Sequence, residues 1–231
     1  MKKTIFGFVT FLFAYTFYTI LILFLFKWIN PPTTAFIQQN NTSSFESILE
    51  FQKVEQVWMP LNKISNNIKI AIITSEDQLF LDHWGFDVNQ IQKVIGDFEK
   101  GKRIRGASTI TQQVAKNLFL FPSKSWIRKA LESYYTLLIE LTWSKQRIFE
   151  VYLNIAEFGE NIYGVEAASS FYFKKSSSYL SSREGAMIAA ILPNPIRYNL
   201  KMRSSYLEKR INRILDESKN LDKKKIVGNL K

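Results

Sequence analysis

A chain of 231 residues is long enough for one ordinary domain with an appendage, and too short for two full domains. Its formal net charge of +11 indicates an anionic partner, such as nucleic acid, phospholipid headgroups or a phosphorylated substrate. The absence of cysteine excludes disulfides, thiolate metal sites and a cysteine nucleophile, and the single histidine, His83, excludes a zinc site built on histidines.

An uncharged apolar run covers residues 5–26, behind a short basic segment at 1–4. As a helix, this run of 22 residues would be about 33 Å long, at about 1.5 Å per residue, which matches a bilayer core of about 30 Å. The run is longer than the apolar part of a signal peptide and ends without a small-residue cleavage site, so it predicts a retained transmembrane anchor. Lysines before the span favour a cytoplasmic N-terminus, which would put the rest of the chain on the periplasmic side of the cytoplasmic (inner) membrane. There the net charge would meet lipid phosphates rather than nucleic acid.

Residues 27–60 are predicted to form a juxtamembrane segment. Two prolines within 30–34 predict a stiff exit from the membrane, and the polar stretch 38–44 predicts a linker. Apolar residues recur loosely between 45 and 59, which predicts a peripheral helix that ends at Pro60.

The main domain is predicted to cover residues 61–205 and to be mainly α-helical. Apolar residues recur there at spacings of three and four, and no stretch alternates convincingly with a period of two. The segment 67–74 is apolar almost throughout, and its pattern fits either a buried helix or a strand. The predicted helices are 88–98 behind an Asp87 cap, one to 119 that starts at Ser108 or Thr109, 125–143, one that opens at Ser144 and closes at Gly159, 163–173, and 182–192. The lysine-rich segment 206–231 predicts a surface helix followed by frayed ends.

The first candidate for chemistry is a pair of adjacent carboxylates, Glu76 and Asp77, at the end of the apolar segment. Burial in such a place makes a carboxylate a better general base, whereas a neighbouring cation has the opposite effect. The alternative is structural, because Ser75 and Gln78 fit a capping box at a helix start, where acids favour the helix dipole. The residues themselves leave both interpretations open.

A second candidate is Glu132, with Arg128 four residues and Lys129 three residues before it on a predicted helix. Residues at these spacings are neighbours on a helix surface, so both cations can lie beside the carboxylate. The alternative is an ordinary surface ion pair, which would contribute only about 0.3–0.5 kcal/mol.

A third candidate is an anion site at residues 106–113, which place small residues, hydroxyls and two amides at a helix N-terminus. Lys116 lies one turn after Gln112, and Lys124 follows the helix. The alternative is a solvated basic face. His83 is expected to be a hydrogen-bonding structural residue rather than a catalytic one.

Taken in order, five segments of the chain resemble the motifs of the peptidoglycan glycosyltransferases, specifically the monofunctional biosynthetic type. The matching residues are Glu76-Asp77-x-x-Phe80-x-x-His83-x-Gly85; Gly106-Ala107-Ser108-Thr109-Ile110-Thr111-Gln112-Gln113 with Lys116-Asn117-Leu118-Phe119; Arg128-Lys129-x-x-Glu132; Lys145-x-x-Ile148-x-Glu150-x-Tyr152-Leu153-Asn154 with Glu157-Phe158-Gly159 and Gly164-Val165-Glu166-Ala167-Ala168; and Arg183-Glu184-Gly185-Ala186 with Leu192-Pro193-Asn194-Pro195. The resemblance covers residues 68–200 and favours the catalytic interpretation of both glutamates.

The resemblance implies a lysozyme-like helical glycosyltransferase domain behind one N-terminal transmembrane helix. It implies lipid II as the substrate and a β-1,4-linked glycan as the product. Glu76 would deprotonate the 4-hydroxyl of the acceptor sugar, which attacks C1 of the lipid-linked growing chain and displaces undecaprenyl pyrophosphate. Because the donor linkage is α and the product linkage is β, a single inverting displacement suffices and no covalent glycosyl-enzyme is needed.

The resemblance also implies roles for further residues. Cations must neutralise the charge on the departing diphosphate, and Glu132 would orient them or assist departure. The implied cations are Lys116, Lys124, Arg128 and Lys129. The other implied substrate-binding residues, some of which could instead support the site, are Asp77, Phe80, Ser108, Gln112, Gln113 and Asn154. Relatives usually carry arginine in the stretch of Lys124, and lysine lacks the two-pronged contact that arginine makes with phosphate.

No cofactor is required by this pattern, although a divalent cation, Mg²⁺ or Mn²⁺, could assist the pyrophosphate. The expected partners are lipid II, the lipid-linked glycan chain, membrane lipids and other cell-wall synthesis or division proteins, but not nucleic acid. A bifunctional penicillin-binding protein is excluded by chain length and because no serine precedes a lysine by three positions. A glycan-cleaving lysozyme-like enzyme and an inactive membrane scaffold are the remaining alternatives.

Overall fold

The computed structural model describes residues 2–42, 55–101, 106, 108–121, 123, 125–201 and 204–230. Within these residues the fold is mainly α-helical, as predicted, with eleven α-helices and one small sheet. The helices are α1 (Lys2–Trp28), α2 (Ala35–Thr42), α3 (Asn66–Glu76), α4 (Val88–Glu99), α5 (Ile110–Phe119), α6 (Trp126–Thr142), α7 (Lys145–Ile155), α8 (Val165–Phe173), α9 (Ser182–Ile191), α10 (Ser205–Glu217) and α11 (Lys223–Asn229), and the strands are β1 (Glu55–Gln56), β2 (Glu157–Gly159) and β3 (Ile162–Tyr163).

The N-terminal helix α1 confirms the predicted apolar helix and extends it by a few residues at each end. Its segment Val9–Trp28 has the length and composition to cross a membrane. Most of its large apolar side chains are exposed on the surface of the chain, as expected for side chains that meet lipid. The helix fits a single-pass membrane anchor.

One side of α1 packs against α6 and the start of α7. Tyr134 Oη donates to Thr16 Oγ1 at 3.1 Å, and Trp143 Nε1 donates to the carbonyl of Leu23 at 2.7 Å. Arg147 donates from Nε and Nη2 to the carbonyl of Phe26, at 2.9 and 2.8 Å. The last carbonyls of a helix have no partner within it, so Arg147 satisfies a group that would otherwise need water. Helix α1 is therefore joined to the domain by specific contacts.

The juxtamembrane segment differs from the prediction. Residues 35–42 form helix α2 instead of a linker, and its start is fixed by Thr34 Oγ1, which accepts from Ile37 N at 3.1 Å. The predicted peripheral helix falls mostly on 43–54, outside the described residues. At its C-terminal end the prediction is wrong, because Glu55–Gln56 form β1, which pairs in parallel with β3.

The small sheet has the strand order β1-β3-β2, and β2 pairs antiparallel to β3. Strands as short as these give no period-two pattern in the sequence. The sequence therefore predicts a helix that starts at 163, whereas α8 starts at Val165, after β3. Gly164 joins β3 to α8 with φ +85°, and a Cβ there would lie 2.8 Å from the carbonyl oxygen of Asn154. Only glycine fits this junction without strain.

The core lies where α3 packs against α9 and where α5 packs against α6 and α7. The ambiguous segment 67–74 is helical, within α3. At the α3–α9 contact, a Cβ on Gly185 would lie 3.1 Å from the backbone of Ile68, so the missing side chain permits the close approach. This packing fixes the C-terminal end of α3, where Glu76 lies.

The expected frayed C-terminus is wrong, because α10 and α11 pack on the domain. Leu207, Ile211 and Ile214 of α10 are buried, as are Ile226 and Leu230 around α11. The buried Lys69 of α3 donates from Nζ to the carbonyl of Leu230 at 3.2 Å, and burial lowers its pKa. Helices α10 and α11 both contact α3.

Candidate active site

Glu76 is the last residue of α3, and Asp77 follows as the C-cap. The capping-box interpretation of Ser75 and Gln78 is therefore wrong, since a helix ends at this point instead of starting. The side chain of Glu76 is 13% exposed, which leaves it shielded from bulk water but reachable.

Three donors surround the Glu76 carboxylate. Gln113 Nε2 donates to Oε2 at 3.1 Å, and Ser75 Oγ donates to Oε1 at 2.9 Å. Arg210 Nη2 lies 3.5 Å from the same Oε1. Tyr152 Oη in turn donates to Gln113 Oε1 at 3.2 Å, which fixes the orientation of the Gln113 amide. The carboxylate is thus held on both oxygens by groups from three helices, α3, α5 and α10.

The segment after Glu76 is tied to the start of α5. The carboxylate of Asp77 accepts from the backbone N–H of Ile110 at 3.0 Å on Oδ2, and its Oδ1 lies 2.9 Å from His83 Nε2. Thr109 caps α5, forms a capping box with Gln112, and donates from Oγ1 to the carbonyl of Gly85 at 2.7 Å. His83 is therefore a hydrogen-bonding residue, as predicted, and Asp77 is its partner.

A second buried network holds the same segment against α6 and α7. Glu140 Oε1 accepts from Thr111 Oγ1 at 2.6 Å and from Lys145 Nζ at 2.7 Å. Lys145 Nζ also donates to the carbonyl of His83 at 2.7 Å and lies 4.7 Å above the centre of the buried Phe80 ring. A buried charge is stable only when it is paired and hydrogen-bonded, as it is here.

The third motif forms a cluster of charges on α6. Glu132 is only 3% exposed, so the interpretation as a surface ion pair is wrong. Its Oε2 accepts from Arg128 Nη1 at 2.5 Å, and its Oε1 pairs with Lys129 Nζ. Both oxygens are therefore occupied by cations.

Lys116 of α5 faces this cluster. Burial lowers the pKa of its ammonium group, and the negative charges of Glu132 and Glu157 partly offset that effect by raising it. Its Nζ also lies 5.9 Å from the ring centre of Phe36 in α2. Because Gln113 and Lys116 are three residues apart on α5, they lie on one face, with Cβ atoms about 5–6 Å apart. One helical turn therefore separates the Glu76 contact from the cation cluster.

Glu157 at the start of β2 is a further acid near Lys116. Burial raises its pKa to about 7, while Lys116 and a hydrogen bond with Tyr163 oppose that shift. The motif match contained Glu157, but nothing in the sequence placed it beside the cations.

The structure does not place all predicted substrate-binding residues on an accessible surface. Four have buried side chains with protein partners or core packing, which fits the supporting role and not direct substrate contact; these are Asp77, Phe80, Gln112 and Asn154. Asn154, for example, donates from Nδ2 to the carbonyl of Met59 at 3.0 Å and accepts from its N–H at 2.7 Å on Oδ1. Ser108 is exposed beside the start of α5, and Lys124 lies outside the described residues.

Sequence reasoning missed three residues around Glu76: Ser75 as its donor, Tyr152 behind Gln113, and Arg210. A signal for Arg210 exists in the sequence. It falls three residues after Leu207 and next to Ile211, so it belongs to the inward-facing stripe of an otherwise charged helix.

Apolar side chains are exposed on two helices of the domain. Helix α4 has no buried residue, and its apolar stripe is open to solvent at Val88, Ile91, Ile95 and Phe98. At the start of α6, Trp126 and Ile127 are also largely exposed. Soluble monomers rarely expose such stripes, whereas proteins that contact membranes do.

Comparisons with known proteins show the family to which the chain belongs. A family model described as transglycosylase matches residues 42–219. The biosynthetic peptidoglycan transglycosylase of Pasteurella multocida is 49% identical over 201 residues, which cover 84% of this chain and 81% of that protein. The proteins of the same name from Haemophilus influenzae and Pseudomonas syringae are 48% and 44% identical, over 90% and 88% of this chain and 85% and 86% of theirs. The chain therefore belongs to the transglycosylase family, and it is a glycosyltransferase of peptidoglycan synthesis.

Proposed function

We propose that this enzyme polymerises lipid II into β-1,4-linked glycan by a single inverting displacement, with Glu76 as the general base. The observation that carries the proposal is the position of Glu76, a partly exposed carboxylate one turn of α5 away from a cluster of cations. An ionised carboxylate offers about four lone-pair sites, so Glu76 can accept from an acceptor hydroxyl while keeping its protein donors.

In the proposed step, Glu76 takes the proton of the acceptor 4-hydroxyl as that oxygen attacks C1 of the donor sugar. The bond between C1 and the diphosphate oxygen breaks, and its electron pair leaves with the lipid diphosphate. Attack from the face opposite the leaving group converts the α linkage to β. The proton on Glu76 then returns to solvent. Positioned proton transfer of this kind contributes about 10²–10⁴ in rate.

The cations would act at the other end of the reaction. Lys116, Arg128 and Lys129 can neutralise the charge that develops on the diphosphate, in a site partly shielded from water. Because both oxygens of Glu132 are occupied by Arg128 and Lys129, we assign it the role of orienting these cations and not of donating a proton to the leaving group.

The remaining predicted site residues divide into two groups. Asp77, Phe80, Gln112 and Asn154 would hold the loop and helices that carry the reacting groups, because their side chains are buried. Gln113 would align Glu76. Ser108 and Lys124 stay predictions as substrate contacts.

The membrane is the proposed source of both substrates. A lipid-linked donor and acceptor lie in the bilayer, and the exposed apolar stripes of α4 and α6 could rest on the same leaflet. We propose that α1 anchors the domain on the periplasmic face of the inner membrane, where other cell-wall synthesis or division proteins are expected partners.

A resident metal is not part of the proposal. The described residues contain no group of three or more histidine, aspartate or glutamate side chains that could hold an ion. A divalent cation that assists the reaction would then be carried by the diphosphate itself. Activity measured with Mg²⁺, with Mn²⁺ and with a chelator tests this.

We also propose that the enzyme lacks transpeptidase activity, because its sequence contains no serine followed by a lysine three residues later. Crosslinked product from lipid II alone would contradict this.

The test is polymerisation of lipid II by the purified full-length chain in detergent or in vesicles. The unchanged protein should yield long glycan, and Glu76→Gln should yield none. Glu208→Gln is the matched control, because Glu208 is a partly exposed residue paired with Arg183. Cleavage of added glycan without polymer would instead favour a lysozyme-like activity, and inactive unchanged protein that is correctly folded would favour a scaffold.

A further inference from the structure

We infer that Arg210 is a positioning residue for Glu76 and acts through Ser75, an inference that rests on the proposed role of Glu76 as base. Arg210 comes from α10, which lies after the last of the five motifs. Its Nη2 lies 2.8 Å from Ser75 Oγ and 3.5 Å from Glu76 Oε1.

The direction of these hydrogen bonds follows from their chemistry. A guanidinium can only donate, so Ser75 Oγ accepts from Arg210. The hydroxyl has one proton to donate, and Glu76 Oε1 at 2.9 Å is closer than the alternative acceptor, the carbonyl of Ala189 at 3.4 Å. The charge of Glu76 favours the same acceptor, because a carboxylate accepts a stronger hydrogen bond than a neutral carbonyl does. The chain of donors therefore runs from Arg210 through Ser75 to Glu76.

Arg210 is itself held rigidly. Its Nε donates to the carbonyl of Ala190 at 3.1 Å, near the end of α9, where helix carbonyls lack partners within the helix. The buried residues Leu207, Ile211 and Ile214 fix α10 against the domain on either side of it. The planar guanidinium thus joins the end of α9 to the end of α3 in one geometry.

The consequence for the reaction is orientation. Gln113 of α5 holds Oε2, and the Arg210–Ser75 pair holds Oε1. Without Arg210, the Ser75 hydroxyl can turn to the Ala189 carbonyl and the carboxylate can rotate. Displacements of about 1 Å at a reacting group can lower the rate by about 100-fold.

The experiment measures kcat and KM for lipid II in Arg210→Ala, Arg210→Lys and Ser75→Ala, with Glu208→Gln as the control on the same helix. We expect kcat to fall about 10- to 100-fold in Arg210→Ala and to a similar extent in Ser75→Ala, with KM within about two-fold of the unchanged enzyme. Arg210→Lys should recover part of the loss, and added guanidinium ions should raise the kcat of Arg210→Ala. A role in folding alone would produce neither recovery nor rescue.

A double substitution checks the connection between the two residues. If Arg210 acts through Ser75, then Ser75→Ala combined with Arg210→Ala should lose little more than Arg210→Ala alone, whereas independent effects would multiply. Ser75→Ala also tests the inference if Arg210→Ala fails to fold, because it leaves α10 untouched.

The outcomes separate this inference from the function on which it rests. Activity that persists in Glu76→Gln would contradict the proposed base. An inactive Glu76→Gln together with unchanged kcat in folded Arg210→Ala, or in Ser75→Ala where Arg210→Ala does not fold, would overturn the role of Arg210 and leave the base in place.

Discussion

Glu76 and Glu132 are both glutamates shielded from water and placed near cations, but their surroundings differ. Glu76 receives hydrogen bonds from a neutral hydroxyl and a neutral amide, and the cation Arg210 is 3.5 Å away. Glu132 is nearly inaccessible and has a cation on each oxygen. A carboxylate held by neutral donors can still exchange a proton, whereas one that neutralises two cations holds those cations in place. On the proposed roles, the charge partners of the two glutamates, more than their burial, distinguish the base from the residue that holds the cations.

The largest effect should come from Glu76→Gln. The amide keeps the size of the side chain and removes the proton acceptor, so kcat should fall by about 10²–10⁴. The free energy of unfolding should change by about 1 kcal/mol or less, since the ion pair that is lost, with Arg210, is long at 3.5 Å and partly exposed. Steady-state polymerisation and thermal unfolding check both parts. If Glu76→Gln retains most of the activity, Glu76 is not the base, and the proposed difference in role between Glu76 and Glu132 is lost.

Glu132→Gln should instead act on stability and binding together. It leaves Arg128 and Lys129 without their counter-charge, and removing one partner from a buried pair costs about 3–5 kcal/mol in fully buried cases. Because Lys129 is 39% exposed, we expect about 1–2 kcal/mol here. Denaturant unfolding measures this, and a higher KM for lipid II should accompany it. A loss confined to kcat would contradict the assignment of Glu132 as the residue that holds the cations.

Lys116→Ala should weaken use of the lipid diphosphate donor more than it harms folding. Burial lowers the pKa of the ammonium group, which means that burying this charge does not stabilise the fold. A hydrogen bond to a charged group contributes about 1.5–3 kcal/mol. We therefore expect its loss to raise KM about ten-fold or more. Lys116→Arg, which keeps the charge, is the matched control. Full activity of Lys116→Ala would remove this residue from the site.

The smallest effect should be a pH dependence caused by Glu157. Its pKa of about 7 in the folded protein exceeds the ordinary value of 4.5, so the folded state binds the proton more tightly. Stability should therefore decrease as pH rises from about 4.5 to about 7 and stay level above that range. Glu157→Gln should remove this decrease and be more stable than the unchanged protein at pH 8, by about 1 kcal/mol after allowance for solvent screening. Unfolding measured at pH 5 and pH 8 tests it, and equal differences at both pH values would contradict it.

Helix starts were predictable because their signals are local. Asp87, Thr109, Ser125 and Ser144 each accept a hydrogen bond from a backbone N–H three residues ahead, as the caps of α4, α5, α6 and α7. That geometry depends on a few consecutive residues, so the sequence carries it completely. The strands β1, β2 and β3 were not predictable, since each is two or three residues long and exists only through its neighbours.

The candidate site likewise has a part that the sequence predicts and a part that it does not. The motifs identified Glu76, Gln113, Lys116 and Glu132, and the structure brings them to α3, α5 and α6 around one region. They did not show that Asp77 and Asn154 face inward, because hydrogen bonds with Ile110 and Met59 join residues distant in the chain.

The sequence alone determined that this protein is a mainly helical glycosyltransferase with an N-terminal helix that fits a membrane anchor, because helix periodicity, caps, the apolar span and the motif residues are properties of nearby positions. Tertiary structure alone decided which of those residues are accessible and which distant group completes the site. Arg210 lies 134 positions from Glu76 in the chain, and only the packing of α10 against α3 and α9 brings its guanidinium to the carboxylate. Contacts of that range depend on how whole helices pack, which no local pattern of residues encodes.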